Sequence, residues 1–175
     1  MIVSRLERWA AIPLRLIVGF GFMAHGYAKL VRGPEHFVGI LRALNVPAAQ
    51  LAGWATILTE LIGGFAVLVG AFVPLVSIPM AVTLLSAMFT VHLPYGFSAI
   101  KLQGVTADGP QFGKPGYEVD LLYLACLAAL VLGGSGPFAV DRFIRPFAHA
   151  AGRPATRSSS GSPSSSPRSS SRGPS

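Results

Sequence analysis

Residues 51–93 read LAGWATILTELIGGFAVLVGAFVPLVSIPMAVTLLSAMFTVHL, and the only Asp, Glu, Lys or Arg among them is Glu60. About 20 predominantly apolar residues cross the hydrocarbon core of a bilayer as a helix. This stretch therefore holds two crossings, from about Leu51 to Val73 and from about Pro74 to Leu93. Little more than Pro74 separates them, which predicts a tight helical hairpin. Pro74 falls in the first turn of the second helix, where a missing N–H costs nothing.

Two more segments of this kind flank the pair, at about 10–30 and about 119–136. The first follows Arg5 and Arg8, as a signal peptide would, but it is too long for a signal h-region and lacks a clear cleavage site, so it reads as a retained span. The predicted fold class is all-α, a bundle of four transmembrane helices over residues 1–150. Composition agrees. Half of the 175 residues are hydrophobic (51%) and 12% are charged, against roughly 25% charged in a typical soluble domain. A water-soluble globular enzyme of this size cannot hide so much apolar surface.

The formal net charge of +7 suggests nucleic acid in a soluble protein, but its distribution excludes that partner here. Arg142, Arg145, Arg153, Arg157, Arg168 and Arg172 follow Asp141 with no acid among them, and the rest of the chain is nearly neutral. Residues 151–175 are a Ser/Pro/Arg-rich tail that cannot bury a core and is predicted to be disordered. Four spans put both termini on one side, and the arginines at both ends make that side the cytoplasm. Cys126 is the only cysteine, which excludes an intrachain disulfide and a Cys-based zinc cage.

The connecting segments differ in character. Glu35 to Leu44 is a candidate short surface helix between the turn signals Gly33-Pro34 and Asn45-Val46-Pro47. Residues 94–117, rich in Gly and Pro, read equally as a flexible linker or as a cap on the membrane surface.

Ionisable residues inside a span are costly unless paired or hydrated. His25 and Lys29 are four apart and share a face of the first helix. Glu60 lies about nine residues into the second helix, about 14 Å deep at 1.5 Å per residue. His92 ends the third helix, and Glu118 and Asp120 open the fourth. The topology brings these residues to the outer half of the bundle, so His25, Lys29, Glu60, His92 and Glu118 form the candidate polar site. Gly53, Thr56, Gly63, Gly64 and Val67 share the face of Glu60, and small residues mark helix contacts in membranes. Thr83, Ser86 and Thr90 form a similar stripe on the third helix, with His92 turned away from it. Each residue also has a plainer reading. Glu60 pairs with His25 or Lys29 to hold helices together, Lys29 snorkels to headgroups, and Glu118 and Asp120 complement a helix N-terminus. Arg15 and Asp141 are the candidate structural ion pair. No catalytic residue is identifiable, and the spacing matches no local metal motif.

The sequence resembles the DoxX family of small four-helix membrane proteins. The resemblance runs from about Leu14 to Asp141 and is carried by Arg15, the run from His25 to Leu30, Thr59-Glu60-Leu61-Ile62-Gly63-Gly64, Val91 to Phe97, Gly116-Tyr117-Glu118 and Gly134-Ser135-Gly136-Pro137. It departs from the family pattern at Val73-Pro74, where members often carry an Arg, and at Ala139, where they carry Ser. The resemblance implies a multi-pass protein of a bacterial plasma (inner) membrane, linked to quinones or to oxidative stress. A quinone-interacting membrane subunit is the leading functional expectation, with a membrane quinone as cofactor and nothing covalently bound. Any enzymatic role is then part of a quinone-linked oxidoreductase. The alternative is a non-catalytic scaffold or assembly subunit. The partners implied are the lipid bilayer and a redox subunit or a homo-oligomer. A through path for solute or protons fits less well, because the cytoplasmic half holds only Arg15.

Overall fold

The structure, a computed structural model, describes residues 9–141. The tail expected at 151–175, Arg5 and Arg8 lie outside them. Helix α1 runs Ala11–Val31, α2 Pro34–Ala43, α3 Ala49–Val69, α4 Val73–Tyr95 and α5 Glu118–Gly133. Strands β1 (Leu102–Thr106) and β2 (Gly109–Phe112) form an antiparallel hairpin between α4 and α5. The fold is otherwise helical as expected, and the hairpin shows that residues 94–117 are neither a plain linker nor irregular throughout.

Helices α1, α3 and α4 are long and apolar enough to cross a membrane. Helix α5 has 16 residues, about 24 Å at 1.5 Å per residue, and stops earlier than expected because Gly134 takes φ +81°. Gly70 ends α3 at φ +72°, four residues short of the expected boundary. Pro74 lies in the first turn of α4. The short surface helix expected from Glu35 to Leu44 is α2.

The four long helices close a ring in which α1 packs on α3, α3 on α4, α4 on α5, and α5 on α1, with α2 laid over α1 and α3. Inside the ring Val18, Phe22, Val67, Met80, Leu84, Leu127 and Leu130 form one cluster, and Phe22 meets Tyr123 edge-on at 5.6 Å. Outside it, Phe20, Leu51, Ile62, Leu75, Ile78 and Leu132 are all more than half exposed. A contiguous apolar exterior of that extent fits lipid and not water.

The expected face of α3 points inward, with Gly53, Glu60, Gly63, Gly64 and Val67 buried. At Gly64 an added Cβ meets Gly19 O at 2.8 Å and Met23 N at 2.9 Å, so the α1 and α3 backbones touch. The hydroxyl stripe of α4 does the opposite. Ser86 and Thr90 are exposed, and Thr83 and Thr90 donate to the carbonyls of Pro79 and Ser86 in their own helix. The hydroxyls of Thr83 and Thr90 are thus satisfied within their own helix.

Two short stretches are π-helical, Thr59–Gly63 in α3 and Met88–His92 in α4. One contains Glu60 and the other His92.

Gly64→Ala forces apart backbones that now touch and is expected to lower stability by about 1–3 kcal/mol. Gly39→Ala on α2, where a Cβ meets nothing within 4 Å, is expected to raise it by about 0.5–1 kcal/mol through helix propensity. Unfolding in mixed micelles of increasing SDS fraction reads both signs.

Candidate polar site of the bundle

The hairpin turn between α3 and α4 organises one end of the bundle. Arg15 is buried and donates to four carbonyls: Nε to Val67 O (3.2 Å), Nη2 to Leu68 O (2.8 Å), and Nη1 to Ser135 O (3.1 Å) and Pro137 O (3.3 Å). Val67 and Leu68 belong to the last turn of α3, where the carbonyls run out of i+4 partners and carry the negative end of the dipole; Val67 O also accepts from Gly70 N at 3.1 Å. Asp141 does the converse for α4, accepting from Phe72 N (2.6 Å) and Val73 N (3.3 Å). Ser135 Oγ also donates to Asp141 Oδ2 at 3.3 Å. The expected Arg15–Asp141 ion pair is therefore not a direct one. Both charges sit at the same turn, each spent on backbone groups that lipid cannot hydrate.

At the other end, Lys29 Nζ donates to both oxygens of Glu60, at 2.5 and 2.6 Å. The Glu60 side chain is 7% exposed and that of Lys29 20%. Gly26 lets Glu60 come this close to α1, since a Cβ there meets Glu60 Cβ at 3.0 Å. Phe37 of α2 lies over the ammonium at 4.9 Å from its ring centroid, a cation–π roof. His25, one turn back on α1, is exposed. No hydrogen bond joins it to another of the described residues, but it stands within electrostatic reach of Glu60.

His92 joins a different pair. Its Nδ1 lies 2.5 Å from Asp120 Oδ2, with Asp120 buried in the first turn of α5. A ring that donates from Nδ1 keeps Nε2 as an acceptor. Glu118 Oε2 accepts from Ala99 N at 2.9 Å and so ties the loop to the start of α5.

The five-residue candidate site thus resolves into distinct parts. Lys29–Glu60 closes the α1–α3 seam, His92–Asp120 closes the opposite α4–α5 seam, Glu118 anchors the loop, and His25 faces outward beside the first pair. Among the described residues no hydrogen bond links the two pairs. The spacing of the sequence carried the depth of Glu60 and its reach to α1. It did not carry the choice of Asp120 as the partner of His92, which needs the ring order of the helices.

Comparison with known proteins places the chain in a family. The DoxX family model matches residues 10–93. The chain is 31% identical over 131 residues, 75% of its own length and 84% of the relative's, to the Bacillus subtilis (strain 168) protein named "Putative oxidoreductase CatD". No solved structure matches it.

Lys29→Leu leaves a buried carboxylate without its partner and is expected to destabilise the bundle by about 3–5 kcal/mol. Lys29→Leu combined with Glu60→Leu removes both charges and is expected to lose clearly less. The same SDS titration measures the cycle, and additive losses would show that the two side chains do not interact.

Proposed function

The chain belongs to the DoxX family, a multi-pass membrane protein, and from that premise we propose that it is a quinone-interacting subunit of a membrane redox system. The observation that carries the reading is the Lys29–Glu60 pair, buried in the bundle yet next to the exposed His25. Donors and a carboxylate thus stand between the core and the lipid-facing surface, from which a quinone head group arrives. The likeness to a protein named as an oxidoreductase supports the same setting.

A quinone takes up two electrons and two protons, and the electrons come here from a partner redox subunit. His25 and the partly exposed ammonium of Lys29 donate hydrogen bonds to a carbonyl oxygen at the bundle surface. Glu60, whose two oxygens both accept from Lys29, holds the ammonium in place; Lys29 gives one proton to the carbonyl oxygen as the electrons arrive and is reprotonated from water, and the second proton comes from water beside the exposed His25. Phe37 covers one side of the ammonium and leaves the other open, and the lower polarity on the covered side strengthens its bond to Glu60.

In this reading α5 is the fourth crossing, both termini face the cytoplasm, and the membrane is the bacterial inner membrane. A second reading, a scaffold subunit for a partner enzyme, draws on the two ion pairs that each staple a different helix seam.

The full chain in lipid nanodiscs, titrated with ubiquinone and menaquinone analogues, separates the readings. Saturable quenching of Trp9 and Trp54 fluorescence is expected. Glu60→Gln and His25→Ala are expected to weaken binding about tenfold, the equivalent of one charge-assisted hydrogen bond of about 1.4 kcal/mol. Unchanged affinity in both variants sinks the residue assignment. Loss of folded protein with no change of affinity in what remains points to the scaffold.

A further inference from the structure

The hairpin between α4 and α5 has a two-faced character that its sequence conceals. Leu102 pairs with Phe112, Gly104 with Gln111, Val105 with Pro110, and Thr106 with Gly109, with an irregularity between Leu102 and Gly104. Two residues of β1 thus pass one step of β2, as in a β-bulge. Cross-strand partners share a face, and faces alternate along β2. Phe112 and Pro110 therefore lie on one face with Leu102 and Val105, while Gln111 and Gly109 lie on the other with Gly104 and Thr106. The hydrogen bond from Gln111 Nε2 to Thr106 Oγ1 confirms the second set. The bulge gathers the large apolar side chains of both strands on one side.

That apolar face has no cover from the bundle. Leu102 is 60% exposed, Val105 74% and Phe112 59%. A two-stranded hairpin alone is marginal in water. The root of this one is nonetheless laced, with Gly116 N, Tyr117 N and Glu118 N donating to the carbonyls of Ser98, Gly96 and Phe97. Its position tells what covers the face. Helix α4 has 23 residues, about 34 Å at 1.5 Å per residue, so its last turn reaches headgroup depth in a hydrocarbon core of about 30 Å. The hairpin leaves from that turn. Along the chain from α4 to the hairpin, the apolar side chains of Phe89, Leu93, Phe97 and Ile100 are all exposed. Lys101 and Lys114 both bond to Tyr95, one to its carbonyl and one to its hydroxyl, and set two positive charges around the end of α4.

We propose that the apolar face of the β1–β2 hairpin is seated in the interfacial layer of the protein's own bilayer, next to the ends of α4 and α5. Leu102, Val105 and Phe112 enter the acyl boundary, and Gln111 and Thr106 face water. Such amphipathic elements bind by buried apolar area assisted by lipid charge. The proposal uses the crossing by α4 and is independent of any quinone.

The test labels the full chain in a Cys126→Ala background, with Val105→Cys or Gln111→Cys carrying an environment-sensitive fluorophore. The protein is placed at one copy per nanodisc of phosphatidylcholine and phosphatidylglycerol. The Val105→Cys probe is expected to be blue-shifted, quenched several-fold more by lipids spin-labelled near the headgroup than the Gln111→Cys probe, and correspondingly shielded from aqueous iodide. Equal iodide quenching at both positions overturns the proposal, because the hairpin then stands in water. Protection of Val105→Cys from both quenchers also overturns it, since the face is then covered by protein. Both positions are exposed, and an unchanged helical circular dichroism signal certifies the fold of each labelled chain.

Discussion

Helices α1 and α3 touch backbone to backbone at Gly19 and Gly64, and both ends of that seam are locked by charge. Arg15 binds the last carbonyls of α3 at one end, and Lys29 binds Glu60 at the other. These three contacts fix the register of the two helices. Moving α3 by one residue would withdraw Glu60 from Lys29 and leave a carboxylate in a medium that cannot solvate it. The remaining helices close around this seam. Met80 of α4 sits against Gly63, and Tyr123 of α5 against Phe22. The glycines thus serve the ion pair, since only their lack of a side chain brings an acid in mid-helix within reach of a lysine two turns farther along the neighbour.

The two ion pairs differ in their surroundings although each closes a seam. Lys29–Glu60 is roofed by an aromatic ring from α2 and flanked by an exposed histidine, whereas His92–Asp120 lies at the root of the loop that carries the hairpin. One member of each pair sits in a π-helical turn. Such turns insert a residue into the α-helical ladder and are frequent at functional sites.

Much of this was legible in the sequence, and the gaps have physical causes. Long apolar runs located the helices to within a few residues, because the bilayer imposes a length that composition must meet. The glycines around Glu60 marked its inward face correctly, whereas Thr83, Ser86 and Thr90 misled, since a hydroxyl can satisfy itself within its own helix. Arg15 and Asp141 were placed at the right turn but paired with each other, when each instead serves the backbone. The hairpin was missed for a more particular reason. Asp108-Gly109 is a strong turn signal, but the apolar residues Leu102 and Val105 are three apart, and the bulge that brings them onto one face also erases the period of two that announces a strand.

Arg15 also bears on the order in which the protein is made. Its acceptors belong to residues 67, 68, 135 and 137, whereas the helix that carries it is the first of the described spans to leave the ribosome. An arginine at the centre of a crossing costs about 2.5–3.5 kcal/mol on insertion scales, and less near a helix end such as the position of Arg15, where the side chain reaches the interface. The first helix therefore enters the bilayer with a debt held open by water or headgroups, reduced when the third helix arrives and cleared once residues beyond the fifth have been synthesised. Assembly is thereby coupled to chain completion, and a nascent chain halted before the last turn retains an unmet cation as a mark of its unfinished state.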